Sequence, residues 1–144
     1  MIDEMRRLVR RKDTCVLATV SQGKPHCSLM AYSCDDGCTE IYMATLRETK
    51  KYRNLKENPF VSLLIDTRED RPGTEGRETR AMTVSGIFER IEDVAKRSLV
   101  RDKLRARHPH LSQILDHPDA DLLCIRITSF LLLNGLVEAH FEEP

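Results

Sequence analysis

The chain is cut into short strand-like runs by turn residues, and no helix separates the first three of them. Thr14 to Ser21 (TCVLATVS) is rich in β-branched and apolar residues. Gln22-Gly23-Lys24 makes a tight turn, and Pro25 opens a second run, HCSLMAYS, that ends at Ser33. Asp35-Asp36-Gly37 then turns the chain into a third run, Thr39 to Thr45. Turns this short join antiparallel neighbours, so the three runs predict a β-meander. Phe60 to Asp66, Arg80 to Ile91 and Ala120 to Phe130 are three more strands. LLLNGLVEAHF is broken at Asn134-Gly135, either a hairpin turn or a kink at a strand end. Helical patterns fall between some strands, but without regular βαβ alternation. A mainly β fold follows: an antiparallel barrel of six to seven strands with helical insertions. Gly86, inside the fifth strand, marks a bulge or a close approach by another backbone.

Three segments read as helices. Residues 2–12 place Ile2, Met5, Leu8 and Val9 on one face with basic residues around it, an amphipathic helix that caps one end of the core. Residues 92–107 offer Val94, Ala95, Leu99, Val100 and Leu104 as buried positions before Pro109, and Leu111 to Leu115 is a further helical turn. The third helix follows the strand ending at Thr45 and stops at Asn58-Pro59, with Tyr52 and Leu55 facing inward. The polar stretch Thr67 to Thr79 has the composition of a surface loop or irregular hairpin, and could act as a lid. With 144 residues the chain fits one compact domain, 1–144.

The third helix has an unusual beginning. Thr49 occupies the N-cap position, and Lys50 and Lys51 fill the first turn. The helix dipole favours anions there, so two lysines oppose it. A hydroxyl, free backbone N–H groups and two ammonium groups together suit a bound phosphate; a solvated basic helix face is the alternative.

Charge and composition restrict the rest. Lys plus Arg equals Asp plus Glu, for a formal net charge of zero, which argues against a dedicated nucleic-acid binder. No apolar run approaches the roughly 20 residues of a membrane span. The first residues are too polar for a signal peptide, so a cytoplasmic protein without membrane partners is expected. Five cysteines, an odd number, point to reduced thiols, with Cys34 and Cys38 close across their turn. No paired CxxC supports a metal site, and His108-Pro109-His110 lacks carboxylate company. His26 and Cys27 are adjacent on a strand and point to opposite faces, so they make no catalytic pair. Gly-x-Ser-x-Gly, HExxH, Walker and GxGxxG motifs are absent. No catalytic side chain and no metal ligand is assigned; the chemistry falls to a bound cofactor that the protein cradles.

The runs TCVLATVS, GKPHCSLMAYS, EIYMAT followed by TKKYRNLKENPFVSLLID, AMTVSGIFERIED and DLLCIRITSFLLLNG, in this order and spacing, resemble the pyridoxamine 5′-phosphate oxidase-like family of FMN-binding split β-barrel proteins. The resemblance implies a Greek-key split barrel and a homodimer with FMN at the subunit interface. It implies that the second strand, through His26, Ser28, Leu29 and Met30, lies along the flavin ring. Ala44 and Thr45 would contact the flavin or its ribityl chain, and Thr49, Lys50 and Lys51 would hold the phosphate. The flavin itself would carry hydride or electron transfer to an unknown small-molecule substrate. True pyridoxamine 5′-phosphate oxidases carry an Arg near the start of the second strand and a Lys at its end, where this chain has His26 and Ala31. Their C-terminal arginine segment has no match in LLLNGLVEAHFEEP. A flavin reductase-like oxidoreductase is therefore expected, not an oxidase of the vitamin phosphate. Two alternatives stay open. One is a haem protein of the same fold, with iron on His26, His108, His110, His117 or His140. The other is a cofactor-free dimeric interaction module.

Overall fold

A computed structural model of the chain describes residues 1–66 and 80–144; the loop expected over Thr67 to Thr79 lies outside them. The elements run α1 (Ile2–Arg11), β1 (Thr14–Ser21), β2 (Lys24–Ala31), β3 (Ser33–Cys34), β4 (Glu40–Leu46), α2 (Lys50–Glu57), β5 (Phe60–Asp66), β6 (Arg80–Glu89), α3 (Val94–Arg107), a 3₁₀ turn (Pro109–Leu111), α4 (Ser112–Leu115), β7 (Ala120–Asn134) and β8 (Glu138–Glu142). The described strands form one antiparallel eight-stranded sheet in the order β2-β1-β5-β6-β7-β4-β3, with β8 on β7. The sheet curls into a half-barrel. No helix among the described residues is long and apolar enough to cross a membrane.

The expected meander is corrected by this order. β1 and β2 do form a hairpin, Val16 opposite Leu29, but β4 pairs with β7 and β3, not with β2. The chain leaves β2 at Tyr32. Its N–H donates to the Asp13 carbonyl at 2.9 Å, and its carbonyl meets His108 Nε2 at 2.9 Å. The first bond continues the β1–β2 register, in which Thr14 faces Ala31, whereas the second takes the carbonyl to the end of α3, and the run divides here into β2 and β3. The same stretch of chain thus supplies both edges of the sheet, which is how the sheet curls round on itself. The Tyr32 hydroxyl donates to the Val9 carbonyl at 2.7 Å and ties α1 over the end of the barrel. Met5, Leu8 and Val9 of α1 are buried there, as their spacing requires.

Gly86 is both a bulge site and a point of close approach. The β6–β7 register slips between Ser85, opposite Ser129, and Gly86, opposite Ile127, leaving Thr128 as the extra residue. A Cβ at Gly86 would lie 2.5 Å from Ile125 Cγ2 and 2.8 Å from the Arg126 carbonyl oxygen, so only glycine fits. Asn134-Gly135 is the turn of the β7–β8 hairpin, not a kink.

The core has two parts. Inside the half-barrel, Leu17, Tyr32, Met43, Leu63, Met82, Ile125 and Phe130 pack together. Behind β4 and β7, Tyr42, Ala44, Leu122 and Cys124 meet Val100 and Leu104 of α3 and Leu111 and Leu115 beyond it. β4 is therefore covered on both faces. Helix α3 uses only that narrow seam. Val94, Ala95 and Leu99, expected inside, are exposed, because α3 lies against the sheet along the line of Val100 and Leu104.

One face of the sheet lacks such cover among the described residues. Leu29, Val16, Leu64, Thr83, Leu131 and Phe141 stand opposite one another in turn across six strands, from β2 to β8. Leu29 is 80% exposed and Phe141 60%. A mainly apolar row on a sheet surface, interrupted here by Thr83, is the kind of patch that marks an interaction site.

Candidate functional site: a groove between β2, β4 and α2

Thr49 caps α2 as its position requires. Its backbone is extended and its hydroxyl accepts from the Tyr52 N–H at 3.3 Å. The same hydroxyl donates to the Leu46 carbonyl at 2.9 Å and lies 3.3 Å from Thr45 Oγ1. This fixes the short link between β4 and α2. The backbone N–H groups of Lys50 and Lys51 sit in the first turn, where no helical carbonyl can reach them. No acidic side chain occupies that turn.

The end of β2, the end of β4 and the start of α2 border a groove of about 270 Å³. Leu29, Met30, Ala44, Thr45, Thr49 and Lys51 all line it. Six of the nine residues named as cofactor contacts are thus brought to one place from three elements. The other three lie elsewhere on the same elements. His26 and Ser28 sit further along β2, opposite Thr19 and Leu17, and Lys50 is exposed on the outer side of α2. Four lining residues escaped the sequence reading: Ala31, Leu46, Leu111 and Ile114. The turn at Leu111 to Leu115 was visible as a helical pattern, but nothing local shows that it folds back over β4.

The groove is chemically divided. Leu29, Met30, Leu111 and Ile114 make one part apolar, while Thr45, Thr49 and Lys51 make the other polar and basic. No histidine lines it among the described residues. His108, a candidate haem ligand, is buried and spends Nε2 on the Tyr32 carbonyl. Cys34 and Cys38 are close, as their turn implies, and the hydrogen bond from Cys38 holds the Cys34 thiol below its ordinary value. Cys15 is pushed up to about 12 by burial. These thiols lie inside the barrel core, and none of them lines the groove. Among the described residues no group of three or more His, Cys, Asp or Glu could hold a metal ion.

Beneath the groove, Tyr52 of α2 donates its hydroxyl to Asp121 Oδ2 at 2.8 Å. Asp121 is 2% exposed, and Arg97 Nη2 at 3.2 Å and the Leu122 N–H at 2.9 Å reach its other oxygen. This pairing of α2 with β7 anchors the helix that carries Thr49 and Lys51.

The sequence model of pyridoxamine 5′-phosphate oxidase matches residues 1–134. The chain belongs to the pyridoxamine 5′-phosphate oxidase family. Solved structures of similar fold sit around this family member. A haem-binding protein from Mycobacterium smegmatis superposes with a TM-score of 0.84 at 18% identity, over 97% of this chain and 56% of its own. The chain therefore spans little more than half the length of that protein. A haem storage protein from Vibrio cholerae gives 0.72 at 20% identity, over 92% of this chain and 93% of its own. An FAD-binding protein from Mesorhizobium loti gives 0.73 at 21% identity, over 99% and 95%. Such identities establish a shared fold, and these relatives bind different cofactors. No curated protein matches this pyridoxamine 5′-phosphate oxidase-family chain in sequence.

Proposed function

We propose that the chain binds FMN in the groove, at the interface of a homodimer, and works as a flavin-dependent oxidoreductase on a small molecule. The observation that carries this is the division of the groove. Lys51 and the open N–H groups of the α2 first turn suit a phosphate, and the apolar side chains of β2 and α4 suit a flat ring. When bound, FMN supplies hydride or electron transfer. The protein's own residues bind and orient it. Lys51 acts as a point charge on the phosphate, with Lys50 adding charge from outside. Leu29 excludes water from one side of the ring. Backbone groups of β2 that face the ring would tune its potential.

The groove is incomplete in one chain. Its volume falls just under the roughly 300–1,000 Å³ of ordinary ligand pockets. Leu29 belongs both to the groove and to the uncovered apolar row across the sheet. A second copy seated on that row would cover it and add the missing wall.

FAD binding by a relative of similar fold agrees with a flavin here, and haem binding by others defines the competing outcome. The absence of a histidine from the groove's described lining favours the flavin. The test is an absorbance spectrum of the purified protein, repeated after incubation with FMN and with haem, alongside its solution mass. A flavin spectrum on a dimer supports the reading. A Soret band with no flavin uptake moves the assignment to haem, and a protein that takes up neither sinks both.

A further inference from the structure

We propose that a second cavity, separate from the groove, binds the phosphoryl group of a small phosphorylated molecule. It lies where the end of β4, α3 and the start of β7 meet, and it measures about 220 Å³. Arg47 enters from just beyond β4, Arg97 and Arg101 from successive turns of α3, and His117 from the loop before β7. Leu115 and Leu122 give it an apolar wall. Leu46 and Ile114 line the groove while their neighbours Arg47 and Leu115 line this cavity, so the two are adjacent. This inference stands whether or not the groove holds FMN.

The charge in the cavity is unbalanced. Asp121 is the carboxylate among its described lining residues, and its oxygens are already taken by Tyr52, Arg97 and the Leu122 N–H, with Arg47 Nε at 3.8 Å. Three guanidinium groups against one carboxylate leave an excess of two positive charges. Nearby acids do not cancel it. Asp116 is paired with Arg105 at 2.8 Å, and Asp119 is exposed in the same loop. Its backbone N–H donates to His117 Nδ1 at 3.0 Å, so Nε2 carries the proton of the neutral ring and is a donor.

The arginines are not equally committed. Arg97 gives Nη1 to the Ile91 carbonyl at 3.0 Å and Nη2 to Asp121. Arg47 reaches the Pro118 carbonyl only at 3.4 Å. Arg101 is half-buried and has no hydrogen-bond or ion-pair partner among the described residues. A guanidinium withdrawn from water without an anion lacks what its fork is built to hold. Guanidinium forks grip tetrahedral oxyanions by paired N–H bonds. The cavity is too small for a dinucleotide, and its apolar wall suits a short carbon body attached to the phosphate.

The experiment is a titration of the full chain with inorganic phosphate and with phenyl phosphate, at constant ionic strength and with chloride as control. NMR shifts of the Arg101 side chain and the His117 ring report on this cavity and not on the groove. Phenyl phosphate is expected to saturate these signals with a Kd of about 1 mM or tighter, and to bind better than inorganic phosphate. Arg101→Ala should weaken it about tenfold or more, Arg101→Lys less, and neither should lower the melting temperature of the unliganded protein. Lys50→Ala/Lys51→Ala should leave the titration unchanged. The proposal is overturned if the wild type shows no saturable shift, if Arg101→Ala binds like wild type, or if the lysine pair abolishes the response. Tighter binding of inorganic phosphate than of phenyl phosphate would overturn the assignment to a phosphorylated molecule.

Discussion

His108 Nε2 donates its hydrogen to the Tyr32 carbonyl at 2.9 Å, joining the end of α3 to the bend between β2 and β3. His108 is 4% exposed, so this carbonyl has no water to turn to if the ring is removed. A buried acceptor left alone costs about 1–3 kcal/mol, and the space left by the ring adds to that. His108→Ala is expected to lower unfolding stability by about 2 kcal/mol or more, read from urea denaturation, with His108→Gln recovering part of it. An unchanged midpoint would mean that the bend holds without the bond.

Lys51 lines the groove and Lys50 does not. The two lysines should therefore separate in a flavin titration followed by fluorescence quenching. Lys51→Ala is expected to weaken FMN binding about tenfold or more, since a charge-assisted hydrogen bond contributes about 1.5–3 kcal/mol. Lys50→Ala should cost only a few-fold. Equal losses, or none, would remove the phosphate from the start of α2.

Leu131 stands in the uncovered row, opposite Thr83 and Phe141, and does not line the groove. If a second copy covers the row, Leu131→Glu should shift the protein to a monomer in sedimentation. FMN affinity should fall with it, although the mutated side chain touches no groove residue. A dimer that survives this change would place the subunit interface elsewhere.

Asp121 gives a pH dependence of defined sign. Burial pushes its carboxyl up, but hydrogen bonds from Tyr52, Leu122 and Arg97 outweigh this and hold it below the ordinary 3.8. Asp35 behaves alike: burial raises it, and bonds from Glu40 and Thr39 bring it lower still. A carboxyl lowered by folding stabilises the native state fully above its unfolded value, and this is lost as pH falls through the folded value. The denaturation midpoint should thus be insensitive to these groups near neutrality and drop as pH falls below about 4. Asp121→Asn should be less stable than wild type at pH 7 and show a shallower drop in acid.

Much of the candidate site's local structure was legible because its signals are local. The Thr49 cap, the two lysines and the proline stop after Asn58 act within one helix, and the structure forms that helix with Thr49 as its cap. Tyr52 and Leu55 are buried as their spacing requires. The exposure of Val94 and Leu99 was not legible, because periodicity shows which residues share a face and not how wide a seam the sheet will cover.

The sequence by itself determined most of the strands, their tight turns and the basic start of α2. Each follows from backbone sterics or from hydrogen bonds a few residues long. Tertiary structure alone decided that β4 pairs with β7 and not with β2. It decided too that Leu111 and Ile114 close the groove, and that Arg47, Arg97 and Arg101 gather round one cavity. Most of those contacts join elements remote in sequence, and no local propensity encodes them. They exist because the apolar side chains on both faces of β4 and β7 leave water only when strands and helices remote in sequence pack against them.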